Sequence, residues 1–294
     1  MKIKIVYIGT VKFSEILLKE IIKYKKYIDI YIISSKKKIN SDHEDLTRIA
    51  KREKLPIHLT SNINSNQTFN KIKNFKPDYI FCFGWSRLLK KKIIKCANKY
   101  CIGYHPAELP KNRGRHPIIW AIYLGLKNTA STFFKLTEKV DDGFIIDQKI
   151  LKIKKISKSL EIYKSLAKIS KIQIKSIIFK IINNKKIKFY KKKNENIWRK
   201  RGFVDGVIDW RMSGSSIIRL SNALSYPYPN VCFKYKAKYI SFDEAKLVKK
   251  KKDNIEPGKI LKVEKNSFQV TCDDSIIKIM KIKPKINLKK NSYL

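Results

Sequence analysis

The sequence predicts an α/β protein: a mostly parallel, Rossmann-like sheet followed by a smaller, OB-like β-barrel domain. Three observations predict it. Residues 1–85 alternate apolar, β-branched runs with runs whose apolar residues recur at helical spacing. A long helical run over residues 157–184 then gives way to a stretch where apolar periodicity collapses into charge. Beyond it, short strands are broken by Pro, Gly and Asp turns, and a small barrel is the natural closure for such strands.

In order, "KIKIVYIG" (2–9) reads as a buried parallel strand. "FSEILLKEIIKYKK" follows with a helical stripe of Phe13, Ile16, Leu17, Ile21 and Ile22. "YIDIYIISS" is a strand, "HEDLTRIAKREK" a helix, "LPIHLT" a short strand, "NQTFNKIKNFK" a helix and "PDYIFCFGW" a strand. Such alternation means a parallel sheet with right-handed crossovers, and a site beyond the carboxyl ends of its strands. Gly9-Thr10 closes the first strand, but residues 11–14 read Val-Lys-Phe-Ser, so the glycine fingerprint of a dinucleotide site is absent. The expected domains are 1–186, a linker at 187–204 with one short strand, the β domain at 205–285 with a helix from Ser215 to Leu224, and a frayed tail at 286–294.

Composition narrows the function classes. The 294 residues carry a formal net charge of +43, which attracts polyanions and favours an anionic substrate. Only nine of the 67 basic residues are Arg, however, and Lys is spread through strands, linker and tail alike. That is the pattern of a nucleotide-composition bias more than of a phosphate-reading groove, where the planar fork of Arg concentrates. The five cysteines (Cys82, Cys96, Cys101, Cys232, Cys272) are scattered and never spaced C-x-x-C, and there are four histidines. This points to buried, reduced thiols, with neither a disulfide framework nor a metal site. No leader and no membrane-length apolar run is visible, so a soluble, cytoplasmic protein is expected.

Chemistry concentrates in "CIGYHPAELPKNRGRHPIIWAIYLGL" (101–126). A short strand ends at His105, Pro106 stops the ladder, and a loop leads into a helix with Pro117 in its first turn. By itself His105 is either a reactive group delivered to the sheet edge or a loop histidine. Further on, Asp141-Asp142-Gly143 sits between apolar strands and by itself reads as a hairpin turn.

Together the two segments resemble the 10-formyltetrahydrofolate-dependent formyltransferases, the group that includes the methionyl-tRNA and sugar-amine formyltransferases. That family's pattern is Asn-x-His-x-Ser-x-Leu-Pro, then Arg-Gly, then Asp-x-Gly-Asp. Here His105, Leu109-Pro110, Arg113-Gly114 and Asp141-Asp142-Gly143 fall in order, with 36 positions between His105 and Asp141. The likeness extends over Gly9-Thr10, Phe13 and "IDWRMSGSSIIRLSNALSYPYPN", and so over nearly the whole chain. The resemblance implies a formyltransferase-type fold and transfer of a formyl group from 10-formyltetrahydrofolate to a primary amine, with no metal. It assigns His105 as donor to the developing oxyanion and Asp141 as the carboxylate that orients and charges the imidazole. Folate contacts are expected from Phe83, Gly84, Trp85 and Leu88 and from Val140 and Gly143. Substrate contacts are expected from Gly9, Thr10, Pro110, Arg113 and Arg115, with the two arginines forking onto phosphates.

This chain departs from the family pattern at three places. Gly103 stands where the family has Asn, Ala107 where it has Ser, and Phe144 where it has the second Asp of the turn. Losing one oxyanion donor costs about 2.7–4 kcal/mol in comparable sites. Asn112, the nearest amide in sequence, or a water is therefore expected to stand in.

The acceptor is expected to be an amine on a nucleotide-linked amino sugar for surface polysaccharide. The connection "SSKKKINSDHEDL" lacks the long basic insertion usual in the tRNA enzymes, and "RGRHP" replaces their Arg-Gly-Ala-Ala-Pro. Charged initiator methionyl-tRNA, in translation initiation, is the alternative; Arg199, Arg201 and Arg211 beside Trp198 and Trp210 would either contact RNA or pin the linker. A non-catalytic binding protein on the same scaffold is the third reading, favoured by Gly103.

Overall fold

A computed structural model describes residues 2–38, 41–251 and 254–294, so Ile39 and Asn40 of the connection after the second strand lie outside the described residues. The chain divides into two compact units, each assembled from separate segments. The first is Met1–Pro117, Thr129–Leu151 and Lys164–Trp198; the second is Ile118–Asn128, Lys152–Tyr163 and Arg199–Leu294. The units thus do not follow one cut after residue 186: residues 118–128 and 152–163 belong with the carboxyl-terminal unit.

The first unit holds the large sheet. In chain order it contains β1 (Ile3–Ile8), α1 (Lys12–Ile22), β2 (Ile28–Ser34), α2 (Thr47–Glu53) and β3 (Ile57–Leu59), then α3 (Asn66–Phe75), β4 (Tyr79–Cys82), a one-turn α4 (Lys91–Ile94) and β5 (Tyr100–His105). The short β6 (Arg113–Gly114) follows, then β7 (Asn128–Lys135), β8 (Ile145–Lys152), the greater part of α6 (Ser159–Ile182) and β9 (Ile197–Trp198), while α5 (Pro117–Tyr123), between β6 and β7, belongs with the second unit from Ile118 on. Strand order is β3-β2-β1-β4-β5-β7-β8. The first five strands are parallel and β7 runs antiparallel to β5.

Residues 5–8 of β1 are fully buried, which is why that run is apolar on both faces. On α1 the buried stripe is Phe13, Leu17, Leu18, Ile21 and Ile22, with Leu18 taking the place expected for Ile16. Ser65 caps α3 by accepting from the Thr68 amide at 3.2 Å, as a Ser N-cap should. On α6, Ile162, Leu166, Ile174, Ile177, Ile178 and Ile181 form the buried stripe. Gln173 on the same helix clamps Ser131 of β7, accepting from its hydroxyl at 2.6 Å and donating to its carbonyl at 3.2 Å.

Segment 187–204, expected as a linker with one short strand, is tied to the first unit over part of its length. Tyr190 bridges to Ile145, and β9 pairs in parallel with β6.

In the second unit, β10 (Val207–Ile208), β11 (Cys232–Tyr235) and β12 (Lys238–Ser241) form a three-stranded sheet. β13 (Glu244–Lys250), β14 (Ile260–Glu264), β15 (Ser267–Thr271) and β16 (Ser275–Met280) form an antiparallel four-stranded one, ordered β13-β16-β15-β14. The small β domain is therefore present as two ladders, joined where Ser241 and Lys283 exchange both backbone hydrogen bonds at 2.8 Å. Its core is aromatic: Trp210, Phe233 and Phe268 pack with ring centroids 5.4–6.4 Å apart. Helix α7 (Gly214–Ala223) is capped by Ser213. The tail is held, not frayed: Leu294 donates to the Gly258 carbonyl at 3.0 Å and Ile260 to that of Ser292 at 2.9 Å.

All five cysteines are free thiols, four of them buried. Among the described residues no helix is long and apolar enough to cross a membrane.

Candidate active site

His105 is the last residue of β5, at the carboxyl edge of the parallel strands, where the fold places its reactive groups. The loop it opens is fixed carbonyl by carbonyl. Thr129 donates to Pro106 O at 3.0 Å, Thr132 to Ala107 O at 2.7 Å, and Gln148 to Leu109 O at 3.0 Å. The addition of β7 and β8 to the sheet therefore serves the loop: their hydroxyl and amide side chains hold it. The imidazole is 5% exposed. Its Nδ1 lies 3.4 Å from Asp141 Oδ2, and its Nε2 is 2.8 Å from the Asn112 carbonyl. A carbonyl only accepts, so Nε2 carries a proton and donates. Asp141 Oδ2 also receives the Gly114 amide at 3.0 Å. The two residues that the family resemblance pairs lie side by side in space.

They open into a cleft of about 500 Å³ bounded by Gly84–Leu89, Gly103–His105, Gly114–His116, Phe134, Leu136, Thr137, Lys139–Asp141, Ile197 and Trp198. Gly84, Trp85, Leu88 and Val140, expected at the folate, and Arg115, expected at the substrate, are among the residues that line it. Trp85 also packs against the core cluster of Val6, Ile8 and Ile80, so it serves both wall and core. Cys82 reaches the cleft too, but burial, with Cys101 and Asp141 nearby, holds its thiol far above the ordinary range. It is no nucleophile at neutral pH.

Several expected contacts are corrected by depth. The Phe83 side chain is fully buried in the core, and its carbonyl accepts from Ser14. Gly9 packs against Ser14 and that same carbonyl, while buried Thr10 donates to Gly84 O at 3.1 Å. Both support the Gly84 turn instead of lining the cleft. Pro110 is buried beneath the loop, and Gly143 is pressed onto the Lys135 carbonyl, where a β carbon would come within 1.5 Å. Arg113, expected to fork onto phosphate, has its fork occupied by carboxylates. Its side chain, 8% exposed, is bound by Asp142 at 2.7 Å and Glu195 at 2.9 Å. Arg115, exposed at the cleft, gives one N–H to Ser86 O at 2.5 Å and keeps further donors in its fork.

Asn112, the expected stand-in for the missing amide, is not among the residues that bound the cleft, and it meets the site through its main chain. It meets His105 through its backbone carbonyl, and its own amide N–H is bound by Asn196 Oδ1 at 2.7 Å. The space at Gly103 is taken by carbon: a β carbon there would lie 2.7 Å from Phe134 Cζ. In the second unit, Arg199 pairs with Asp205 and stacks over Trp120 at 5.2 Å, and Arg211 pairs with Asp209 at 2.5 Å.

Asn196 and Ile197 are not expected at this site from the sequence, and Trp198 is expected beside the linker arginines instead. The available signal was the lone apolar pair Ile197-Trp198 inside an otherwise charged run.

Among the described residues, no three His, Cys, Asp or Glu side chains are grouped so as to hold a metal ion. Dialysis against EDTA is expected to leave turnover unchanged; a loss restored by a divalent ion would show a metal requirement.

The chain is similar to known proteins along its length. The family model "Formyl transferase" matches residues 1–178, and "Formyl transferase, C-terminal domain" matches 204–293. The bifunctional polymyxin resistance protein ArnA of Wigglesworthia glossinidia brevipalpis is 30% identical over 234 residues, 78% of this chain but 35% of that protein's length. The chain thus spans about a third of that relative. Methionyl-tRNA formyltransferase of Buchnera aphidicola is 26% identical over 289 residues, 96% of this chain and 91% of the relative. Among solved structures, WlaRD, a sugar 3N-formyl transferase crystallised with dTDP and 5-N-formyl-THF, superimposes with a TM-score of 0.71 at 19% identity, covering 97% of this chain and all of that one. That likeness shows a shared fold. With both modules matched in order around the His105–Asp141 pair, the chain belongs to the formyl transferase family, and it is a formyltransferase.

Proposed function

We propose that the protein moves the formyl group of 10-formyltetrahydrofolate onto a primary amine of a nucleotide-linked amino sugar. The observation that carries the chemistry is the His105–Asp141 pair at the carboxyl edge of β5, facing the cleft. The amine nitrogen attacks the formyl carbon, a tetrahedral oxyanion forms, and the bond to the folate nitrogen breaks. One proton leaves the attacking ammonium and one is gained by the folate nitrogen, so the step balances without a redox partner. His105, backed by the Asp141 carboxylate, is the group that can donate to the oxyanion and handle those protons. To do so its Nε2–H must exchange the Asn112 carbonyl for the substrate oxygen, or act through Nδ1.

The cleft fits a folate head: Trp85, Leu88 and Val140 supply apolar wall, and the main chain at Gly84 and Val140 supplies polar groups. The folate supplies an activated acyl group; the chain's residues bind, orient and move protons.

For the acceptor, Arg115 and Lys139 line the cleft and favour an anionic group such as a diphosphate. The connection between β2 and α2 is short and bears only Lys36, Lys37 and Lys38 as a cationic cluster. WlaRD, of the same fold, was crystallised with dTDP. The second reading, formylation of charged initiator tRNA, is favoured by the Buchnera aphidicola relative, which matches through the carboxyl-terminal region. Purified protein given 10-formyltetrahydrofolate should turn over a dTDP-linked amino sugar at least about tenfold faster, by kcat/KM, than charged initiator tRNA. The reverse ranking would assign it to translation.

A further inference from the structure

We propose that the segment Glu195 to Trp198, charged chain between the two family modules, is part of the catalytic centre, with Asn196 as a positioning residue for His105 and Asp141. The proposal rests on the formyl-transfer reading of that pair.

Asn196 grips two successive amides of the loop after His105. Its Oδ1 accepts from the Asn112 N–H at 2.7 Å, and its backbone carbonyl accepts from the Arg113 N–H at 3.1 Å. The Asn112 carbonyl in turn receives His105 Nε2–H at 2.8 Å. That bond fixes which ring nitrogen is protonated and turns Nδ1 toward Asp141. The same segment reaches Asp141. Gly114, whose amide binds Asp141 Oδ2 at 3.0 Å, pairs with Trp198 so closely that a β carbon would come within 2.2 Å of the Trp198 carbonyl. Arg113 completes the tie by bridging Asp142 and Glu195.

Both ends of the His105–Asp141 pair therefore hang on one strip of chain. The loop it holds passes through left-handed backbone at Asn112 (φ 63°), Gly114 (φ 98°) and His116 (φ 58°), with Asp141 itself at φ 46°. Non-glycine residues keep such conformations only where the surroundings over-determine them. The strip at 195–198 supplies that determination. Without the Asn196 side-chain oxygen, the Lys111–Asn112 peptide loses its acceptor, and the Asn112 carbonyl is steadied through the Arg113 N–H of its own peptide alone, so the imidazole's anchor loosens. A misplacement of that order costs turnover more than binding.

The test compares Asn196→Ala with Asn196→Asp, which keeps an acceptor oxygen at the same place. Kinetics use 10-formyltetrahydrofolate with whichever acceptor, dTDP-linked amino sugar or charged tRNA, the wild type turns over faster. Asn196→Ala is expected to lower kcat about tenfold or more while both KM values stay within about threefold. Its kcat–pH profile should change shape in the limb assigned to the imidazole, and Asn196→Asp should stay within about threefold of wild type. Three outcomes overturn the proposal: unchanged kcat in Asn196→Ala, an equal loss in Asn196→Asp, or a loss accompanied by a melting-temperature fall of more than about 5 °C. His105→Ala run in parallel separates the two levels. If it turns over normally, the formyl-transfer reading fails; if it is inactive while Asn196→Ala is untouched, only the role of the strip fails.

Discussion

Replacing His105 by alanine is expected to lower turnover at least about a hundredfold, and Asp141→Asn is expected to do the same. A hundredfold loss is about 2.7 kcal/mol of transition-state stabilisation, well within what one proton-handling group supplies. The physical cause differs between the two. His105→Ala removes the side chain that links Asp141 to the Asn112 carbonyl, so no ring N–H remains at that place for the developing oxyanion. Asp141→Asn keeps shape and can still accept the Gly114 amide, but it removes the negative charge that stabilises an imidazolium as the proton arrives. Both variants should fold. His105 ends a strand whose ladder with β4 and β7 is backbone, and Asp141 lies in a turn. Steady-state kinetics beside thermal melts check this; near-wild-type turnover in either variant takes that residue out of the mechanism.

How much of this was legible in the sequence depends on whether the governing contact was local. The alternation of periods through residue 85 fixed the parallel strands because each element's burial is written in its own apolar spacing. The position of His105 was legible for the same reason, since a polar residue closing an apolar strand before Pro106 belongs to the sheet edge, whereas its role came from the family resemblance. Depth was not. Gly9, Thr10, Phe83 and Pro110 flank the cleft in sequence yet lie beneath it, supporting Gly84 and the His105 loop. Arg113 was read as a phosphate fork because its partner Glu195 lies far along the chain in a run that resembles solvated linker. The tail read as frayed because its pairing with residues 258–260 is likewise non-local. Gly103 was the informative ambiguity. A glycine ending a buried strand signals close approach, but only the structure says that the approaching group is Phe134.

That contact sets the second large expectation. Gly103→Asn, which restores the residue found in the family pattern, is expected to damage this protein. A β carbon at 103 would lie 2.7 Å from Phe134 Cζ, 2.9 Å from its Cε1 and 3.2 Å from Leu136 Cδ1. The ring has little room to yield, because it is wedged among Leu109, Ile145 and Leu136. Overpacking of this kind costs about 1–3 kcal/mol. The strain falls where it matters. Gly103 pairs with Phe134 across β5 and β7, and two residues on the same pairing brings His105 opposite Thr132, the residue that holds the Ala107 carbonyl. Turnover should therefore fall about tenfold or more, along with the melting temperature. Phe134→Leu shortens the obstructing side chain. In the double variant the two changes should offset each other, with a coupling energy above about 0.5 kcal/mol in a double-mutant cycle. If the asparagine amide then reaches the formyl oxygen, the double variant will also exceed Phe134→Leu alone in kcat. A single Gly103→Asn variant that melts and turns over like the wild type would show that Phe134 does not occupy the space, and that the missing amide had been no loss.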